Sequence, residues 1–248
     1  MNVIYILWLR QLKRYVRSKP RIIAALGQPL LFLIAFGFGL GPIFEQAGRG
    51  SYIQFLAPGL VAMAILFNAV FSGLELIWDR QFGVLQETLV APTPRIVIMI
   101  GRTLGGATVA MVQGVIVVLI CFAAGFRVTT WSMLPLAFVF MGLTAVMFAA
   151  LGTAIASVLN DFQGFPLIMN FLVMPMFFLS GALYPLENVP RALALVAALD
   201  PLSYAVDGIR HALIGEVHYG IGLDLIVLTV MTAAFVALGG YLFSKIQL

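Results

Sequence analysis

The sequence predicts an all-α integral membrane protein: six transmembrane helices, an N-terminal interfacial helix, and short half-inserted or surface helices before the last span. Three observations carry this reading. Apolar residues make up 62% of the 248 and charged residues 10%, with a mean hydropathy of +1.07, whereas soluble domains average about 45–50% apolar and about 25% charged. A water-soluble fold of this length has nowhere to hide so much apolar surface, so the solvent is lipid. Six stretches free of Asp, Glu, Lys and Arg are long enough for the roughly 20 residues a crossing helix needs. Finally, the basic residues gather on one set of connectors.

Taken in order, residues 1–20 form the interfacial helix. Arg10, Lys13, Arg14 and Arg17 share one helical face, and Tyr5, Trp8, Leu9, Leu12 and Val16 line the opposite one. That pattern suits a helix in the headgroup plane against anionic lipid. The basic stretch is too long and the following apolar run too extended for a signal peptide. Pro20 marks a break. The spans follow at about 22–44, 52–78, 96–122, 131–158, 164–184 and 222–244, with no internal repeat or linker, so residues 1–248 read as one domain. Ten basic residues flank one side: Arg10, Lys13, Arg14, Arg17, Lys19, Arg21, Arg80, Arg95, Arg102 and Lys245. Four, Arg49, Arg127, Arg191 and Arg210, fall on the other. The excess places the first side, with both termini, in the cytoplasm and puts Gly48 and Val189 outside.

Two connectors stand apart. Residues 79–92 mix charge with helically spaced Phe82, Leu85 and Leu89 and end at Pro92-Thr93-Pro94. Such a short amphipathic helix suits either a partner's groove or the membrane surface. Residues 187–224 alternate apolar pieces too short to span, such as Ala192–Leu199, with Pro190, Pro201 and scattered charges, the pattern of half-inserted or surface helices.

The absences narrow the chemistry. A phosphate-binding loop needs Lys directly after Gly, and Lys13, Lys19 and Lys245 do not meet this. His211 and His218 have a spacing that fits one helix face, but without Cys or carboxylate neighbours they read as surface residues rather than metal ligands. Ser180-Gly181 lies outside any GxSxG elbow. The +4 net charge comes with no basic groove for nucleic acid. The lone Cys121 excludes an internal disulfide and reads as a small buried apolar residue. Mid-span carboxylates are missing, with Glu75, Asp79 and Asp161 near the cytoplasmic ends, which argues against a proton-coupled carrier. Inside the spans Asn68, Gln113 and Asn170 can bond across helices, and Gly101xxxGly105 and Gly152xxxAla156 allow close approach. The fifth span carries Phe165, Met169, Phe171, Met174, Met176, Phe177 and Phe178, which suit a pliable apolar path or simple packing.

Three stretches then read together: Gln81-Phe82-Gly83-Val84-Leu85-Gln86-Glu87-Thr88-Leu89-Val90-Ala91-Pro92 with Arg95 and Gly101-Arg102; Phe178-Leu179-Ser180-Gly181-Ala182-Leu183-Tyr184-Pro185-Leu186-Glu187-Asn188-Val189-Pro190; and Asp200-Pro201-Leu202-Ser203-Tyr204-Ala205-Val206-Asp207-Gly208-Ile209-Arg210. In order and spacing the chain resembles the membrane subunits of type-2 ABC exporters, the daunorubicin-resistance type of permease. Gln81 departs from the acidic residue common there, and Asp200 from the common Asn. The resemblance implies a multi-pass permease of the cell's inner membrane that pairs with a second permease chain, most simply as a homodimer. Each copy docks a cytoplasmic ATPase. ATP and Mg would belong to that partner, with no cofactor, metal or catalytic residue in this chain.

The resemblance further implies a coupling helix with Arg80, Phe82, Gly83, Leu85, Gln86 and Glu87 at the ATPase, which the interfacial helix also touches. It implies re-entrant outer helices around Ser180, Gly181, Pro185, Pro190, Pro201, Tyr204, Asp207 and Arg210. The first and fifth spans, where Gly37, Gly39 and Gly41 face the Met/Phe run, give a substrate path or dimer seam with Phe32, Phe36, Asn68, Phe71, Asn170, Met174, Phe177 and Phe178. The family's substrates are drugs, lipids, lipid-linked glycans and similar amphiphiles. The competing classes are a secondary carrier or channel-like protein not driven by ATP, and an intramembrane enzyme, which the missing catalytic clusters disfavour.

Overall fold

The computed structural model describes residues 3–47, 50–90, 93–159, 161–187 and 189–246. Gly48 and Arg49 of the first outer loop, Ala91 and Pro92 of the 79–92 connector, Asn188 of the second motif and the extreme ends of the chain lie outside the described residues, as do the side chains of Leu89 and Val90. Every regular element among the described residues is helical.

Helix α1 (Val3–Arg17) is amphipathic, but the face it buries is Leu7, Gln11 and Tyr15. It lies between the basic face and the expected apolar one. Tyr5 and Val16 of the expected apolar line stay exposed. The reason lies on the facing helix, where Gly101 and Gly105 open a groove. A Cβ on Gly101 would sit 3.0 Å from Leu7 Cβ, and one on Gly105 2.7 Å from Gln11. Trp8 Nε1 donates to Thr108 Oγ1 at 2.9 Å. The helix is therefore seated on protein along this side as well as facing its surroundings.

Pro20 falls in the first turn of α2 (Lys19–Phe38), where its missing N–H leaves no gap. The last turns of α2, Leu33–Phe38, are π-wound. A short α3 (Gly41–Gln46) follows. Helix α4 (Tyr52–Gln81) is the most buried of the long helices and runs past its apolar part, so Glu75 and Asp79 project from its end. Next come α5 (Val84–Val90), α6 (Arg95–Ala123) and α7 (Trp131–Val158).

Among the described residues five helices, α2, α4, α6, α7 and a last α11 (Ile221–Ser244), are long and apolar enough to cross a membrane. The expected fifth span, 164–184, is shorter. Helix α8 (Gly164–Leu179), with its π-wound Met169–Val173, stops where Gly181 takes φ +72°, a left-handed turn that ends helices. The pair α9 (Arg191–Leu199) and α10 (Pro201–Ile214) has a span's composition but bends by 86°. The bend has a local cause: the Asp200 carboxylate accepts from Leu202 N–H at 2.9 Å and caps α10, with Pro201 in its first turn.

Helix α10 differs from a surface helix. Residues Pro201 to Arg210 are all buried. It packs among α4, α7 and α11, and Gly208 leaves room for the Phe140 ring. At the other end Arg95 Nη1 donates to the carbonyls of Ser244 (2.7 Å) and Ile246 (2.8 Å). Because α1 also sits on the Arg95 half of α6, the described parts of both termini share one end of the bundle.

Gly73 and Gly152 mark the crossing of α4 and α7. A Cβ on Gly73 would collide with the Gly152 backbone, and one on Gly152 with Val70. Neither neighbour is a flexible side chain, so Gly152→Ala is expected to cost about 1–3 kcal/mol of stability by overpacking. Gly142→Ala, with open space at its Cβ, is expected to be near neutral. Thermal unfolding of the two variants in detergent checks the contrast.

Candidate functional site

At the end that carries α1, Asp79 and Glu75 lie one turn apart on α4. Four guanidiniums converge on them. Asp79 Oδ2 accepts from Arg10 Nη2 at 2.9 Å and from Arg102 Nη1 at 2.8 Å. Arg14 Nη1 lies 3.6 Å from Asp79 Oδ1 and 3.7 Å from Glu75 Oε2, and Arg21 pairs with Glu75. Arg102 and Asp79 are both buried. The cluster joins α1, α2, α4 and α6 through charge-assisted bonds. It is the feature that sequence reasoning missed. Its visible trace was two reciprocal i, i+4 pairs, Arg10/Arg14 and Glu75/Asp79, that a single helix cannot match up.

The 79–92 connector springs from this anchored end. Gly83 adopts φ +77°, which lets the chain turn sharply from α4 into α5. Leu85 points back into the protein's own core at 1% exposure, whereas Phe82 is 78% exposed. Gln86 and Glu87 are exposed beside it. Arg80 Nη1 reaches the Leu159 carbonyl at 3.4 Å, and Trp78 stacks on Phe162 with ring centroids 5.7 Å apart. Of the six expected coupling residues, Leu85 and Arg80 therefore seat the turn, and Phe82, Gln86 and Glu87 present its outer face.

The expected path or seam residues fall into one aromatic contact between α2 and α8, plus outliers. Phe32 meets Phe36 (5.3 Å between centroids), Phe177 (5.7 Å) and Phe178 (6.5 Å). Phe67 of α4 also meets Phe177 (6.2 Å). Phe177 is buried and Phe178 exposed, and Met174 is half-buried. Phe71 packs on Phe165 at 6.1 Å. Asn170 is exposed. Asn68 does not bond across helices, because its amide donates to Ala64 O of its own helix at 2.8 Å. Gln113 does, donating to Ile22 O at 3.3 Å. The outer faces of α2 and α8 expose Leu31, Ile34, Phe38, Leu167 and Phe171.

At the opposite end the second and third motifs meet. Arg210 Nη2 donates to Gly181 O at 3.0 Å, and its guanidinium lies 4.0 Å from the centre of the Phe55 ring. Asp207 accepts from the N–H groups of His218 (2.8 Å) and Tyr219 (2.7 Å). The Tyr204 hydroxyl donates to Ala198 O at 2.7 Å across the α9–α10 corner, and Ser180 Oγ to Phe177 O at 2.8 Å. Pro190 precedes α9. Pro185, Ser180, Asp207 and Arg210 line a cavity of about 650 Å³. His211 lies on α10 and His218 in the loop beyond it, so the two do not share a helix face.

Comparison with known proteins gives consistent matches over most of the chain. The family described as ABC-2 type transporter matches residues 2–214. The chain is 29% identical over 216 residues to Nodulation protein J of Rhizobium leguminosarum bv. trifolii, covering 84% of this chain and 82% of that one. It is 28% identical over 232 residues to the inner membrane transport permease YadH of Escherichia coli strain K12, covering 92% and 90%. It is also 28% identical over 210 residues to the putative transport permease ycf38 of Cyanophora paradoxa, covering 84% and 72%.

The cluster makes a quantitative demand. Removing the Asp79 charge leaves the buried Arg102 guanidinium uncompensated, and breaking a buried pair from one side typically costs about 3–5 kcal/mol. Asp79→Asn is expected to lower stability on that scale, and Arg102→Gln by less, because Arg10 and Arg14 still pair with Asp79. The double variant is expected to lose clearly less than the two together. A double-mutant cycle by thermal or denaturant unfolding reads this directly, and additive losses would show that the two residues are not coupled.

Proposed function

Because the chain belongs to the ABC-2 type transporter family of membrane permeases, we propose that it docks a separate cytoplasmic ATPase through the Phe82–Glu87 turn and pairs with a second copy to export an amphipathic substrate. The observation that carries the reading is the contrast within one short turn. A large aromatic side chain is displayed at 78% exposure beside a leucine buried to 1%. The buried leucine, the Arg80 contact and the Asp79 cluster fix the turn to the bundle, so a push on Phe82 reaches α1, α4 and α6 together. An exposed aromatic on a rigid turn is the usual kind of interface anchor. ATP energy has to reach a permease without a phosphate-binding loop as mechanical work, and such a turn is where it enters.

The same reading places the α1 end in the cytoplasm, on the excess of Lys and Arg there. The membrane is the cell's inner membrane, the location in the YadH relative's name. The whole chain acts as one permease domain, and the ATP and Mg that the cycle consumes are held by the partner. The apolar faces of α2 and α8 around Phe32, Phe36, Met174, Phe177 and Phe178 form the seam with the second copy and the flank of the substrate path. Phe71, Asn68 and Asn170 lie along it. The re-entrant α9–α10 pair closes the outer end.

Two experiments test this. Phe82→Ala and Glu87→Ala are expected to insert and assemble normally, because both side chains face away from the bundle. Phe82→Ala should weaken docking by about 2 kcal/mol or more, roughly 30-fold in affinity. The readouts are co-purification with the ATPase and transport per ATP hydrolysed. Parent-like behaviour in both variants would remove the turn from the coupling path. For orientation, cysteines at Gly48 and Val189 in a Cys121→Ala background should react with an impermeant thiol reagent on intact cells. Labelling only after the membrane is opened would reverse the assignment.

A further inference from the structure

A cleft of about 730 Å³ opens between α1 and the first turn of α2. Ile6, Leu9 and Pro20 give it apolar walls, and Arg10, Lys13, Arg14 and Arg17 stand around it. Ser18, between the two helices, also lines it. Among the described residues its lining holds no Asp or Glu. The four cations are not equivalent. Arg10 Nη2 donates to Asp79 at 2.9 Å. Arg14 Nη1 stands 3.6 Å from Asp79 and 3.7 Å from Glu75. The same two carboxylates already serve Arg21 and Arg102. Lys13 and Arg17 are exposed, and no carboxylate of the described residues pairs with either. This end of the bundle therefore carries more positive charge than its carboxylates balance, and the surplus borders the cleft. Ser18 holds the N-cap position of α2, yet its side chain makes no capping bond.

We propose that this cleft holds the phosphate of one net-anionic phospholipid, with Lys13 and Arg17 as its cationic contacts and Ser18 as a hydroxyl donor. Position favours lipid over a soluble partner. Helix α2 begins at Lys19 and is long and apolar enough to cross a membrane, so the cleft lies where a span enters the headgroup layer. Ile23, one turn further along α2, is 70% exposed, and Leu31 and Ile34 beyond it are exposed too. Surface suited to acyl chains thus continues directly from the cleft. A phospholipid matches both halves of the site, its phosphate meeting the cations and its glycerol and upper chains meeting Ile6, Leu9 and Pro20. An acidic protein surface matches only the cations. A zwitterionic headgroup brings its own ammonium into the same positive field, so the site selects net negative charge. The assignment is narrower than a general attraction of a basic helix to anionic membrane. It gives Arg10 and Arg14 to the protein's own carboxylates and Lys13 and Arg17 to the lipid, and it does not depend on docking at Phe82.

Native mass spectrometry of the detergent-purified protein, titrated with phosphatidylglycerol and with phosphatidylcholine, tests this. The parent is expected to bind its first phosphatidylglycerol about 25-fold more tightly, near fivefold for each unpaired cation. The double variant Lys13→Gln/Arg17→Gln should lose most of that preference. It should unfold at the parent's temperature, because neither side chain has an ion-pair partner within the described protein. Lys245→Gln removes a charge at the same end but away from the cleft, and should keep the preference. Phe82→Ala should keep it as well, so failure of the docking reading and failure of this one are separate results. Equal binding of the two lipids by the parent overturns the proposal without recourse to any variant. So does a double variant that keeps the full preference, or a Lys245→Gln protein that loses as much. Displacement of the lipid by millimolar inorganic phosphate would make the cleft a site for free anions instead. A double variant that retains the lipid but no longer co-purifies with the ATPase would assign the cleft to that partner.

Discussion

Asp79 accepts from Arg10 and Arg102 through a single oxygen, and this contact organises one whole end of the protein. Helices in lipid gain little from burying apolar side chains against each other, since the lipid tails are as apolar as they are. Specific register has to come from close packing of small residues and from polar contacts. The α1 end uses both. Gly101 and Gly105 let α1 approach α6, and the Asp79–Glu75 pair fixes where along α4 the arginines land. A buried ion pair is weak evidence for stability in itself, because desolvation offsets much of the attraction. Its best-attested use is to specify one arrangement over others. Here the arrangement it specifies is the platform from which the exposed Phe82 turn projects.

The opposite end solves the same problem with different groups. Arg210, Asp207, Asp200 and Asp224 would be expensive in a lipid-facing helix. The 86° bend between α9 and α10 brings the first three inside the bundle, where backbone carbonyls, N–H groups and an aromatic face take up most of their polar atoms. The two π-wound segments, in α2 and α8, lie on the helices whose Phe32–Phe177 contact links the less buried side of the molecule to the core. Polar contacts thus hold both ends of the bundle, and an aromatic contact joins α2 to α8.

Much of this was legible in the residues. Long charge-free runs point to the long apolar helices α2, α4, α6, α7 and α11, because a crossing helix needs length and apolarity before anything else, but α2 ends at Phe38, six residues before the expected end of its run. Gly101xxxGly105 and Gly152xxxAla156 announced close approaches, and Gly101, Gly105 and Gly152 do mediate them. The 187–224 stretch announced helices too short to cross, through its prolines and charges. The face that α1 buries was not legible. Its hydrophobic line pointed at Tyr5 and Val16, but the groove that receives it belongs to α6. Leu85 and Phe82 looked alike as spaced apolar residues, and the turn at Gly83 sends them to opposite sides.

Residue order alone is enough to establish a membrane protein with long apolar helices and the family it belongs to. Length, apolarity and motif order are properties of the chain read one residue after another. Which charges meet is settled by the packing in three dimensions. Arg10 and Asp79 are 69 positions apart, and Gly181 and Arg210 29 apart. Pairing over such separations depends on how helices pack against one another, and no local pattern along the chain carries that information.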